Sequence, residues 1–393
     1  MKKISNIKGA AMTMAVVVVL ALTVGVVSSM REGGTEGLLE RGNFTDVKTS
    51  SIGLLTASET PHGEIAVRYL EFINDNFCNR FAFSYRELET AAWIVEELLA
   101  MGHPMENIVI QEFTPETTPA FDMPSLSAEL LLGLRAFATF NGHGFVNLGT
   151  RASRLSQNII LTVPGQSEEI IIVGAHYDSV LNSGASDNAS GVVLLLESAQ
   201  RMLGADNYYT IVYVFFGAEE VGVMGAAYYV YSLTEYQHEK IRFMVNADVL
   251  LEGTYLFYMA GEYIFCIDGG VGRSGANHIT ETWDRVAHDI GYQHGIILKP
   301  WASGIKATSD HLAFSAFGHT VMFLVGLNKF DGWQYYDADN VMLTYMNMTR
   351  VLHSSSDCFH HISQTWPGKI ENNMKAFSLF LEAVLLADYQ KGR

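Results

Sequence analysis

Four apolar runs that each break into a polar loop constrain this chain more than any other feature. Ile170-Ile-Ile-Val173, Tyr209-Thr-Ile-Val-Tyr-Val-Phe-Phe216, Phe243-Met-Val245 and Thr320-Val-Met-Phe-Leu324 carry no charge. Runs this short and apolar suit strands covered on both faces, as in the middle of a parallel sheet. Asn158-Ile-Ile-Leu-Thr-Val163 reads as a further strand, turned by Pro164-Gly165. Helical patterns lie between and around them. Ile65, Val67, Leu70, Phe72 and Ile73 form one face of a helix beginning near Glu64. Ala91, Ile94, Val95, Leu98 and Leu99 stripe a second, from Tyr85 to Met101, which Gly102 ends. Gly191 to Leu203 is a third, and a long one from Ile370 to Tyr389 closes the chain. Strands alternating with helices predict an α/β fold, a three-layer sandwich whose central, mostly parallel mixed β-sheet is flanked by helices. In such sheets functional groups gather beyond the carboxyl ends of the strands.

Composition narrows the partners. The chain has 393 residues, 49% hydrophobic and 17% charged, enough for a large core and too apolar for global disorder. With 25 Lys+Arg against 42 Asp+Glu the formal charge is −17. That field repels nucleic acid and anionic lipid, so no nucleic-acid partner is expected; it favours metal ions and free amino groups. Three cysteines, Cys78, Cys266 and Cys358, cannot make a disulfide scaffold and allow one bridge at most.

Lys2, Lys3 and Lys8 precede an uncharged run from Gly9 to Ser29. A basic start before an apolar stretch predicts a signal peptide over residues 1–30. The stretch approaches the ~20 residues that span a bilayer, so a retained N-terminal anchor is the alternative. Either places the chain from about Arg31 outside the cytoplasm, secreted or held at the membrane by that segment alone. Residues 31–62, rich in Gly, Ser, Thr and Glu, read as a flexible linker, and 63–393 as one domain. An insertion is expected at about 114–157, where Pro115, Pro119 and Pro124 precede an apolar stretch and the turn Asn141-Gly-His-Gly144.

Polar residues cluster where the strands end. Gly174-Ala-His176-Tyr-Asp178-Ser179 follows one run, Gly217-Ala-Glu219-Glu220 another and Asn246-Ala-Asp248 a third. Gly184-Ala-Ser-Asp187-Asn-Ala-Ser-Gly191 precedes a helix, and His353-Ser-Ser-Ser-Asp357 comes late. Carboxylates gathered at one place stay ionised only if a cation compensates or one takes a proton. Two imidazoles with three carboxylates suit zinc, and five ligands exceed what one catalytic zinc takes. Two ions sharing Asp187 use all five: His176 and Asp248 on one, Glu220 and His353 on the other. Neighbours in extended backbone point opposite ways, so Glu219 is left off the metal and free to act as general base and then acid. Asp178, two residues after His176, can accept the imidazole's other N–H. His353 competes with His360 and His361; its spacing to Asp357 favours it, with Asp357 as a supporting acceptor. Ser309-Asp310-His311 reads as a helix cap.

These segments together resemble the di-zinc aminopeptidases, a family that includes secreted bacterial leucyl-type aminopeptidases and has glutamate carboxypeptidases and glutaminyl cyclases as relatives. The resemblance covers roughly residues 64–390 in order and local context. It implies the zinc-peptidase fold, two zinc ions per chain, and release of N-terminal residues from peptides or proteins. It also implies ligands at His176, Asp187, Glu220, Asp248 and His353, the base at Glu219, and a cis peptide at Asp187–Asn188. Two departures stand out. Some relatives have a Tyr before the last His ligand, placed to polarise the scissile carbonyl; here it is Leu352. Residues 114–157 match nothing in the family. A zinc metallopeptidase acting as an aminopeptidase is the expected function. The rivals are a one-zinc glutaminyl-cyclase-like acyltransferase, a carboxypeptidase using Arg273, Arg285 or Lys306 as a carboxylate clamp, and a non-catalytic binding ectodomain.

Overall fold

The computed structural model describes residues 50–118, 155–180, 183–252, 255–261, 277–300, 309–327 and 351–390. The expected leader, most of the expected insertion, and Cys266, Arg273 and Lys306 lie outside them.

Among the described residues, eight strands form one sheet: β1 (Ile108–Phe113), β2 (Ser156–Val163), β3 (Ser167–His176), β4 (Tyr209–Phe216), β5 (Ile241–Ala247), β6 (Tyr255–Gly261), β7 (Leu298–Pro300) and β8 (Val321–Leu327). Their spatial order is β1-β2-β4-β3-β5-β8-β6-β7. β4, β3, β5 and β8 run parallel in the middle. β1 and β2 pair antiparallel beside β4, and β6 runs antiparallel to β8. The parallel expectation therefore describes the centre, and antiparallel strands close both sides. The four uncharged runs fall in the four parallel strands, in the middle of the sheet.

The helices are α1 (Glu64–Asn76), α2 (Tyr85–Met101), α3 (Ser190–Met202), α4 (Met224–Ser232), α5 (Glu235–Lys240), α6 (His278–His294), α7 (His311–Ala316), α8 (Phe359–Thr365) and α9 (Lys369–Leu385). The period-2 alternation of the strands splits the core between two faces. Ile172, Val212, Val214, Phe216 and Met244 pack with Val230 of α4 and Phe314 of α7. Tyr213 turns the other way, its hydroxyl 2.9 Å from Ser198 of α3, and Phe243 meets Trp283 of α6 edge-on. α2 starts at Ser84, whose side chain accepts from Glu87 N–H, and stops at Gly102, which sits at φ 103°.

Residues 50–62, the end of the expected linker, are held along the helices. Gln200 of α3 donates to the Leu55 carbonyl, and Arg201 donates to those of Ala57 and Thr60. Among the described residues no helix is long and apolar enough to cross a membrane.

Candidate metal centre

The parallel strands point their carboxyl ends at one spot, and the chemistry collects there. His176 is the last residue of β3 and Asp248 the first after β5. Glu219 and Glu220 follow β4 in a tight turn. Asp187 lies in the irregular segment Ala185–Ala189 before α3, where the Asp187–Asn188 peptide is cis. His353 comes from a turn after β8.

His176 Nε2 is 3.2 Å from Asp187 Oδ1 and 3.4 Å from Asp248 Oδ1. His353 Nε2 is 2.9 Å from Asp187 Oδ2 and 3.1 Å from Glu220 Oε2. Asp187 thus offers one oxygen to each half, and each half holds one imidazole and one further carboxylate. Glu219 Oε2 stands farther out, 3.9 Å from His176 Nε2. The centre opens on one side: the His353 side chain is 17% exposed and that of Glu219 11%, against 1% for His176.

A cation suits this donor set. His176 Nε2, Glu220 Oε1 and Asp248 Oδ1 are buried without hydrogen-bond partners. Donor atoms of His176, Asp187 and Glu220 all lie within 4.8 Å of one another. The protonation preferences of these groups agree. Burial pushes Glu220 up to about 7, and the Asp187 charge adds to it. Burial raises Glu219 well above the usual carboxylate range despite His176, with Glu220, Asp310 and Asp248 reinforcing it. Burial opposes charge on His176 and His353, yet the surrounding carboxylates hold both well above the ordinary imidazole value. Protons stand in where divalent charge would relieve the same repulsion.

Buried acceptors fix the loops. Asp178, fully buried, takes the N–H groups of Glu219 and Glu220 at 3.0 and 3.1 Å. Its Oδ1 lies 3.3 Å from His176 Nδ1, an ion-pair contact that leaves Nε2 facing the centre. Asp357 corrects its expected role: its carboxylate serves the backbone N–H groups of Ser186 and Asp187, at 2.6 and 3.0 Å, so it steadies the loop of the shared carboxylate. His360 and His361 sit exposed on α8, away from the cluster.

Asp310 also departs from expectation. It precedes α7, but its side chain makes no capping bond. The segment already turns at Asp310 with helical dihedrals (φ −52°, ψ −29°), so the side chain is not aimed at the first N–H groups. Both carboxylate oxygens are buried and unpartnered, and burial raises its pKa well above the usual range. Sequence reading missed Arg80 as well. Its buried guanidinium donates to the Tyr177, Phe77 and Ser183 carbonyls, a cation beside the carboxylates that burial lowers to about 10. Position 352 holds a buried Leu, which offers no hydroxyl to a substrate carbonyl.

The fold and this cluster define a metallopeptidase architecture, and comparison gives the family: the pattern of peptidase family M28 matches residues 158–378, and the chain belongs to that family. Aminopeptidase YwaD of Bacillus subtilis is 31% identical over 170 residues, 42% of this chain; the match spans about a third of that relative's length (34%). A zinc aminopeptidase from Bacillus subtilis superposes with a TM-score of 0.58 at 16% identity, covering 85% of this chain and 97% of that one. A glutaminyl cyclase from Bacteroides thetaiotaomicron bound to N-acetylhistamine gives 0.54 at 18% identity, covering 82% and 97%. At these identities the solved structures share the fold.

Proposed function

We propose that the chain is a zinc aminopeptidase that releases N-terminal residues from peptides or proteins. Asp187 would be shared by two zinc ions, with His176 and Asp248 holding one and Glu220 and His353 the other, and Glu219 would be the base. The observation that carries this reading is the split of Asp187, one oxygen toward each imidazole-carboxylate pair. Bound zinc supplies Lewis acidity, lowering the pKa of a water and polarising a peptide carbonyl. The protein's part is geometric. Glu219, off the tight cluster on its open side, takes the proton of the attacking water and returns it to the leaving amine. Asp178 holds the backbone of both glutamates and faces His176 Nδ1, so base and ligand keep fixed places. The excess of carboxylates around the opening favours a substrate's free α-ammonium group, which limits cleavage to the first bond.

The one-zinc cyclase reading gains from the shared fold, and zinc per chain separates the two. Of the clamps a carboxypeptidase would need, Arg273 and Lys306 lie outside the described residues. Arg285 donates to Thr282 on its own helix, and Arg80 is turned to backbone carbonyls. A binding ectodomain would have no use for six converging groups.

Chromogenic aminoacyl substrates, tried beside amino-blocked peptides and with a chelator, test the proposal. Hydrolysis only of free-amine substrates, abolished by chelator and restored by zinc, is expected. Turnover of amino-blocked peptides, or none with zinc present, overturns it. The membrane relation follows the N-terminal segment: we infer export, checked by N-terminal sequencing of the mature protein.

A further inference from the structure

The turn that delivers Glu219 and Glu220 is gripped at four successive backbone N–H groups, each by a buried side-chain oxygen from another element. Asn158 of β2 takes Gly217 N–H at 3.2 Å. Glu87 of α2 takes Ala218 N–H at 2.9 Å. Asp178 takes the next two. Glu87 is wholly buried and spends its remaining capacity on Ser156 Oγ at 2.8 Å and Phe83 N–H at 2.6 Å. Glu87 lies in the first turn of α2, where its bond from Phe83 N–H serves the helix entrance; the bond from Ala218 N–H reaches beyond that local role. Burial and the Asp178 charge raise Glu87 well above the usual carboxylate range, and the three donors work against that rise; a carboxyl group buried there is costly unless its donors need it.

Ala218 is where help is needed. It sits at φ 55°, in the left-handed region that an L side chain rarely adopts. Glycine would take that conformation freely, yet the Ala218 methyl packs against Phe83 and Phe113 instead. Gly217 cannot carry a side chain, since a Cβ there would fall on Ser156 Oγ and the Gln157 carbonyl. The turn's carbonyls take backbone N–H groups of residues 222–225, but its own N–H groups find their acceptors on side chains outside it.

We propose that Glu87 is a positioning residue for the Gly217–Glu220 turn, holding the general base and its neighbouring metal ligand in register from α2. This rests on the aminopeptidase reading above. Glu87 and Ser156 both precede residue 158, so this grip lies outside the matched family segment. The hydrogen bonds of Glu87 go to Ser156, Phe83 and Ala218, so it acts on the centre through Ala218 N–H.

The test compares two buried carboxylates on one helix. Glu97, ten residues on, accepts from Ser50 N–H, Tyr69 and Trp93, far from the turn. E87Q keeps the shape of Glu87 and loses one acceptor; E97Q does the same at the control position. For E87Q we expect kcat to fall about 10- to 100-fold with KM nearly unchanged. For E97Q we expect a lower Tm with kcat intact. Hydrogen exchange read by mass spectrometry on the zinc-free chains supplies a measure independent of turnover. Peptides covering 217–220 should exchange slowly in the parent and faster in E87Q, while β8 peptides stay protected. E87D, which keeps the carboxyl group but draws it back by one methylene, replaces E87Q if that variant does not fold. Equal kcat in parent and Glu87 variants, or rapid exchange at 217–220 in the parent itself, overturns the proposal. A parent chain inactive on every aminoacyl substrate overturns the aminopeptidase reading instead, and the exchange result still decides the grip.

Discussion

At the scale of single residues, Glu219 and Asp357 make different demands. Glu219 stands beside the tight cluster, so its removal should spare the metal and strike the proton transfer. Glu219→Gln should lower kcat about 10²- to 10⁴-fold while bound zinc, read by atomic absorption, stays at the parent level. Asp357 works through two backbone N–H groups of the loop that carries Asp187. Asp357→Asn keeps one good acceptor of two. Zinc affinity, read by chelator competition, should weaken about 10- to 100-fold. Residue types made much of this legible. His, Asp and Glu after uncharged strands mark themselves, because nothing else in a buried setting tolerates them. What those neighbours hold was harder to read: Asp357 and Asp178 serve backbone groups, and backbone donors leave no trace in the sequence. Arg80 escaped for the same reason, since its partners are carbonyls.

At the scale of elements, close approach decides what a position can hold. α3 begins against the end of β5, and a Cβ on Gly191 would fall on the Ala247 carbonyl and the Asn188 side chain. Gly191→Ala should cost about 1–3 kcal/mol of stability in urea unfolding. The foot of the sheet holds a second test. His238 Nδ1 and His319 Nε2 lie 2.8 Å apart, just before β5 and β8. Burial and the neighbouring His238 lower His319 from 6.5 to about 4. The folded chain thus keeps His319 neutral where the unfolded chain protonates it. That contribution is present above about pH 6.5 and is lost as pH falls toward 4. His319→Gln should melt with a shallower loss of Tm between those values than the parent. The four central strands could be read from their lack of charge. β1 and β7 could not: β1 carries Gln111 and Glu112, and β7 is only three residues long, so their signals fade into those of loops, whereas β6 is as free of charge as the central runs.

At the scale of the whole molecule, the metal centre ties together β3, β4, β5 and the chain's late turn. Zinc that binds only the folded form stabilises all of them by mass action. Chelation should lower Tm in calorimetry, and added zinc should restore it. The stripped chain should also respond more steeply to pH near 7, where Glu220 exchanges its proton. An unchanged Tm would mean that the cluster holds no ion.

His353 and Asp357 come far along the chain, while the groups they complete lie between residues 176 and 248. Chains are made from the N-terminus onward. A polypeptide still on the ribosome therefore carries most of its donors yet lacks the last one, together with the carboxylate that steadies the shared one. If these residues hold zinc as proposed, the centre cannot close before residue 353 has been translated, about a hundred residues after the rest of its ligands.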